Sequence, residues 1–113
     1  DEMSETNIDG FMGRMPYTSE TWRKCRIWLR TTAAPRCVEA DVIGAVGVHE
    51  VMTSNGYLDY YGITHIPTGL QIRGYGDKRN ADHVAEALVS VARELNTASA
   101  GKARRVCAEV IGD

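Results

Sequence analysis

The chain's thiols and imidazoles, three of each in 113 residues, are its obvious candidates for nucleophilic or proton-transfer chemistry: Cys25, Cys37 and Cys107, with His49, His65 and His83. A thiol nucleophile needs a base beside it and an acid to orient that base. Cysteine also serves as a small buried apolar residue, which is the simpler account of two of these. His49 and His65 fall on adjacent predicted strands, where they would face one another across a ladder. With Cys37 or Glu50 nearby they would offer zinc the imidazole and thiolate ligands it takes. No short ligand spacing supports that, and a strand histidine bonded to a neighbour is the plainer reading. The chain contains no G-x-S-x-G elbow, phosphate-loop lysine motif or H-E-x-x-H helix. Glu39 and Asp41 lie close in sequence without an apolar setting to separate their pKa values. The expectation is therefore no catalytic residue, no metal and no cofactor.

Two stretches carry binding chemistry instead. In Arg73-Gly-Tyr-Gly-Asp-Lys-Arg-Asn80 the glycines allow close backbone approach just before a predicted helix. Free amides beside Lys78 and Arg79 would suit a phosphate, with Tyr75 able to stack on a base and His83 nearby. The alternative is a solvated strand-to-helix connection. The second stretch is the basic run Arg23, Lys24, Arg26, Arg30 and Arg36, followed up to Ile72 by the acids Glu39, Asp41, Glu50 and Asp59. Those acids can neutralise it within the fold. A net charge of −2 and a pI near 5.9 argue against a general polyanion binder.

The elements that must position these groups read as α+β. Residues 1–18 are acidic and read as a mobile tail, with 19–113 as one α+β domain. Thr18-Ser19-Glu20 ahead of Trp22, Cys25, Trp28 and Leu29 suggests a capped N-terminal helix, although Cys25, Ile27 and Leu29 also alternate as a strand would. Ala33 to Ala45 stays open between helix and strand. Asp41 to His49 loosely resembles the turn of helix-turn-helix repressors, but Ser54-Asn55-Gly56 interrupts the helix that would have to follow, which favours a hairpin. Val46 to Met52, Tyr57 to Ile66 and Leu70 to Tyr75, joined by Asn55-Gly56 and Pro67-Thr68-Gly69, predict a three-stranded antiparallel meander. Asn80 to Leu95, with Val84, Leu88, Val91 and Leu95 on one stripe, predicts the C-terminal amphipathic helix that covers it. Arg104 to Ile111 would end the chain as a short strand or helical turn.

The run Thr64-His-Ile-Pro-Thr-Gly-Leu70, followed by a strand and an amphipathic helix, resembles a pattern of small uncharacterised phage and mobile-element proteins, over Tyr57 to Asn96. The resemblance implies an accessory protein that binds and blocks a host or phage partner.

These readings converge on a small non-enzymatic binding protein acting through protein–protein contact, with a homodimer as one arrangement it would take. Its surface would use Tyr60, Thr64, His65, Arg73, Tyr75, Lys78 and Arg79. Exposed Trp, Tyr and Arg are favoured at such interfaces. The alternatives are a nucleic-acid-binding regulator using segment 23–36, chiefly Arg23, Lys24, Arg26 and Arg30, with loop 73–79, and a small Cys/His enzyme. No apolar run is long enough for a membrane span, the first twenty residues lack a secretory pattern, and three cysteines, which cannot all pair within one chain, read most simply as reduced thiols in the cytoplasm.

Overall fold

The computed structural model describes residues 21–112, together with the backbone of a two-residue strand, β1 (Ile8–Asp9). The rest of the expected tail and the cap at Thr18 and Ser19 lie outside the described residues. Five further strands follow: β2 (Arg23–Leu29), β3 (Arg36–Ile43), β4 (Val46–Met52), β5 (Leu58–His65) and β6 (Leu70–Tyr75). After them come α1 (Lys78–Ala87), a 3-10 turn (Leu88–Val91), α2 (Ala92–Asn96) and α3 (Ala100–Ile111). The strands form one sheet in sequence order. β1 runs parallel to β2, and every other pair is antiparallel.

The α+β class holds, and the expected meander is the β4–β5–β6 part of a larger sheet. Both predicted reversals form: Gly56 and Gly69 take φ of 87° and 73°, and the Gly69 amide bonds the His65 carbonyl at 2.8 Å. The expected N-terminal helix is corrected to β2. Its period of two buries Cys25 and Ile27 while Lys24 and Arg26 stay exposed, and seven register pairs with β3 satisfy its backbone. Ala33 to Ala45 resolves as β3 and a tight reversal at Gly44-Ala45, so the helix-turn-helix resemblance falls on a hairpin.

The predicted helix from Asn80 to Leu95 is really two helices. Its cap is Asp77, whose carboxylate accepts from the Arg79 amide, and not Asn80. It breaks at Leu88–Val91, where β-branched Val89 and Val91 flank Ser90, whose hydroxyl donates to the Ala87 carbonyl at 3.2 Å. The final segment is a full helix capped by Ser99.

β3 leaves β4 early. They pair only from Asp41↔Val48 to Ile43↔Val46. Continuing that register would set Ala40 opposite His49 and Glu39 opposite Glu50, and like charges facing across a ladder are destabilising. The β2–β3 hairpin instead curls over the sheet. Gly47 makes room for it, since a β-carbon there would lie 2.9 Å from Ile27 Cδ1 and 3.3 Å from Ala40 Cβ. The Arg30 amide then bonds the Gly69 carbonyl at 2.7 Å, tying the end of β2 to the β5–β6 turn. Two apolar clusters result. Ile43, Val46, Val48, Ile63 and Ile72 pack under the helices with Leu88 and Leu95. Cys25, Ile27, Ala40, Val42 and Ile66 fill the inside of the curl.

Candidate functional site

Where β3 and β4 part, a cleft of about 840 Å³ opens between them. Leu29, Val38 and Ala40 line it from the hairpin side, and His49, Val51 and Met52 from β4. Its depth reaches Thr64 and Gln71, register partners on β5 and β6. At one end it reaches Asp41, where the ladder resumes, and at the other the β4–β5 hairpin at Thr53 and Ser54. Met52, Tyr57 and Leu58 are the large apolar side chains exposed there, with Tyr57 at 73%.

Inside the curl, His49 and Thr64 form an ordered polar pair. His49 Nδ1 lies 3.1 Å from the Glu50 carbonyl and Nε2 lies 2.7 Å from Thr64 Oγ1. A carbonyl can only accept, so Nδ1 holds the proton and donates. Nε2 is therefore bare and accepts the Thr64 hydroxyl proton. Burial pushes the His49 pKa below its usual value, partly offset by the bond to the Glu50 carbonyl, and so favours the neutral ring. Gln71 lies flat across Gly62, where a β-carbon would stand 2.9 Å from its Oε1, and its amide donates to the Tyr60 hydroxyl at 3.2 Å.

His49 does not face His65. It pairs with Gly62 and points into the curl, whereas His65 pairs with Val46 and points toward the helices. The zinc pair considered from sequence is therefore not assembled. His65 is fully buried, with Nε2 donating to the Leu95 carbonyl at 2.6 Å and Nδ1 accepting from Thr68 Oγ1 at 2.8 Å. It pins α2 to the β5–β6 turn and is not part of any surface. Burial lowers its pKa too, against the raising effect of the Leu95 carbonyl.

The other expected site residues divide among three places. Tyr60 and Thr64 belong to the cleft side of the sheet, although Thr64 has no exposed surface. Arg73 donates to the Tyr75 hydroxyl at 3.3 Å, and Tyr75 packs against the core under the helices. Arg79 is exposed at the start of α1, whose free amide is taken by Asp77, so the chain's own carboxylate occupies the position proposed for an anion. Lys78 contacts Asp41 at 2.9 Å and Asp82 at 3.0 Å.

The basic run is largely on the outside of β2. Lys24 bonds Asp41 at 2.9 Å, Arg26 is the register partner of Glu39, and Arg30 donates to the Thr68 carbonyl at 3.0 Å. Arg23 is exposed at the start of β2. Burial resists ionisation of Asp41, but hydrogen bonds from Lys24 and then Lys78 hold its carboxyl below the usual range. Cys107 is buried among the helices, and burial raises its thiol pKa despite Arg73, which disfavours a nucleophilic thiolate.

Sequence reasoning missed the cleft and the parts played by Val38, Glu39, Glu50 and Gln71. A signal was present in the register. Counting back from Asn55-Gly56 puts His49 and Thr64 on one face, but the parting of β3 from β4 shows only in three dimensions.

No helix among the described residues is long and apolar enough to cross a membrane. No protein-family model matches the chain, and neither does any curated protein or solved structure.

Proposed function

We propose that this chain is a non-enzymatic protein-binding module that seats an extended segment of a partner protein as an added strand between β3 and β4. The observation that carries this reading is the pair of strand edges flanking the cleft. Among the described residues, 36–40 of β3 and 49–52 of β4 have no strand on the sides that face it. Such edges bind extended chains through backbone hydrogen bonds, with alternate side chains giving specificity.

The dimensions agree. At about 3.3 Å rise, about 4.8 Å strand spacing and about 10 Å of side-chain depth, one extended residue fills roughly 160 Å³. A cleft of about 840 Å³ thus holds on the order of five residues, the length of the 36–40 edge. Met52, Tyr57 and Leu58 extend the contact surface at the hairpin end with exposed apolar area.

A displayed library of random octapeptides, selected on the full chain and followed by amide hydrogen exchange, tests this. Binding peptides should protect amides in 36–40 and 49–52 from exchange and should tolerate nuclease. Peptides that protect other surfaces, or binding only of single-stranded oligonucleotides that is lost as salt rises, would refute it. Sedimentation of the chain alone shows whether a second copy is the occupant.

A further inference from the structure

Strand alternation gives an occupant of the cleft two different faces to satisfy. Side chains pointing into the curl meet Leu29, Val38 and Val51. Side chains pointing the other way lie on the face of the sheet that carries the helices, beyond Asp41 and Val48, and there the flanking residues are Glu39 and Glu50. The register fixes this. Asp41 and Val48 are direct partners, and Glu39 and Glu50 stand two residues beyond them on either strand, on the same face. Both glutamates are exposed and line the cleft. Among the described residues neither lies within ion-pair distance of a cation, even though Arg26 is the register partner of Glu39 on β2. The nearby cations Lys24 and Lys78 are both engaged by Asp41.

Two carboxylates that would repel across a continuous ladder become a matched pair once a strand stands between them. We propose that the cleft selects an extended segment with a lysine or arginine on its outward face, between Glu39 and Glu50, and apolar side chains at the neighbouring inward positions. One cation would then answer two carboxylates, and the apolar neighbours would cover the curl's lining. An acidic residue at that position would face both glutamates and be repelled by them.

This inference rests on the added-strand reading, and the same octapeptide selection separates their failures when run on the wild type and on Glu39→Lys/Glu50→Lys. That double variant keeps like charges opposed, so the strands stay apart. Peptides enriched on the wild type should carry a basic residue flanked at alternate positions by apolar ones. On the double variant, replacing that basic residue with Glu should restore binding that the original peptide has lost by about tenfold or more. Peptides that protect 36–40 and 49–52 but show no basic preference, or that bind both proteins alike, would overturn the charge selection and leave the added strand standing. Absence of any peptide protecting those amides would overturn both. Displacement of bound peptide by millimolar Mg²⁺ or Ca²⁺, without a basic preference, would assign the glutamates to a cation instead.

Discussion

Thr64 gives its hydroxyl proton to Nε2 of His49 at 2.7 Å, and His49 gives its own Nδ1 proton to the Glu50 carbonyl. This short chain of donors runs across β5 and β4 inside the curl, where His49 is 6% exposed and Thr64 has no exposed surface. Every polar atom in it has a partner, which is what allows two polar side chains to sit beside an apolar cluster.

Thr64→Val keeps the shape of the side chain and removes the donor, leaving a buried imidazole nitrogen unpaired. The expected loss is about 1–3 kcal/mol in urea unfolding. Thr64→Ser keeps the hydroxyl and should cost less than Val, through the lost methyl group alone. Equal stability of the Val variant and the wild type would show that the Thr64 bond contributes nothing net.

Both buried histidines predict loss of stability in acid. Their folded pKa values lie below the unfolded value near 6.5, burial being the main cause in each. The unfolded chain therefore binds more protons as pH falls. The stability they confer is fully present above the unfolded histidine pKa and declines below it, by up to about 1.4 kcal/mol per pH unit for each ring until the folded pKa is reached. Urea unfolding at pH 8, 7, 6 and 5 should show this decline. His65→Gln should flatten its share of the slope, even if the variant is less stable at pH 8.

The meander was legible because its signals are local: Asn55-Gly56 and Pro67-Thr68-Gly69 set the turns, and the alternation between them sets the faces. Trp22 to Leu29 misled because a hydroxyl cap and helical spacing coincide there with alternation, and only pairing with β3 decides between them. The Asn80 to Leu95 stripe identified the buried side of the helical layer but not the break at Ser90. The cleft was illegible for another reason. It depends on where two strands stop pairing, and on Gly47 accepting Ile27 from a strand some twenty residues earlier. His65, one of the candidate surface residues, proved to be the hydrogen-bonded strand histidine that was the plainer reading, but its partner is Leu95, thirty residues away.

Gly47→Val tests the curl. A side chain there meets Ile27 Cδ1 and Ala40 Cβ, which are themselves packed, so overpacking should cost about 1–3 kcal/mol in denaturant unfolding. Gly101 is the contrast, since nothing lies within 4 Å of a β-carbon added there on α3. Gly101→Ala should stabilise by up to about 1 kcal/mol. A neutral Gly47→Val would mean that the hairpin does not press on β4 as described.

Glu50→Lys reverses the logic of the cleft. In the register set by Asp41↔Val48, the new lysine would stand opposite Glu39, so an attractive cross-strand pair replaces a repulsive one. The ladder should extend toward Glu39, slowing amide exchange in 36–40 in the absence of any peptide, and stability should rise by about 0.2–1 kcal/mol. Peptide binding in the cleft should weaken at the same time, because the strand edges it needs would bond to one another. Glu39→Lys should do the same from the other side, whereas the double variant restores like charges and should return exchange to wild-type rates. If either single variant leaves exchange in 36–40 unchanged, charge opposition is not what holds β3 and β4 apart, and the close approach of β2–β3 over Gly47 accounts for the cleft alone.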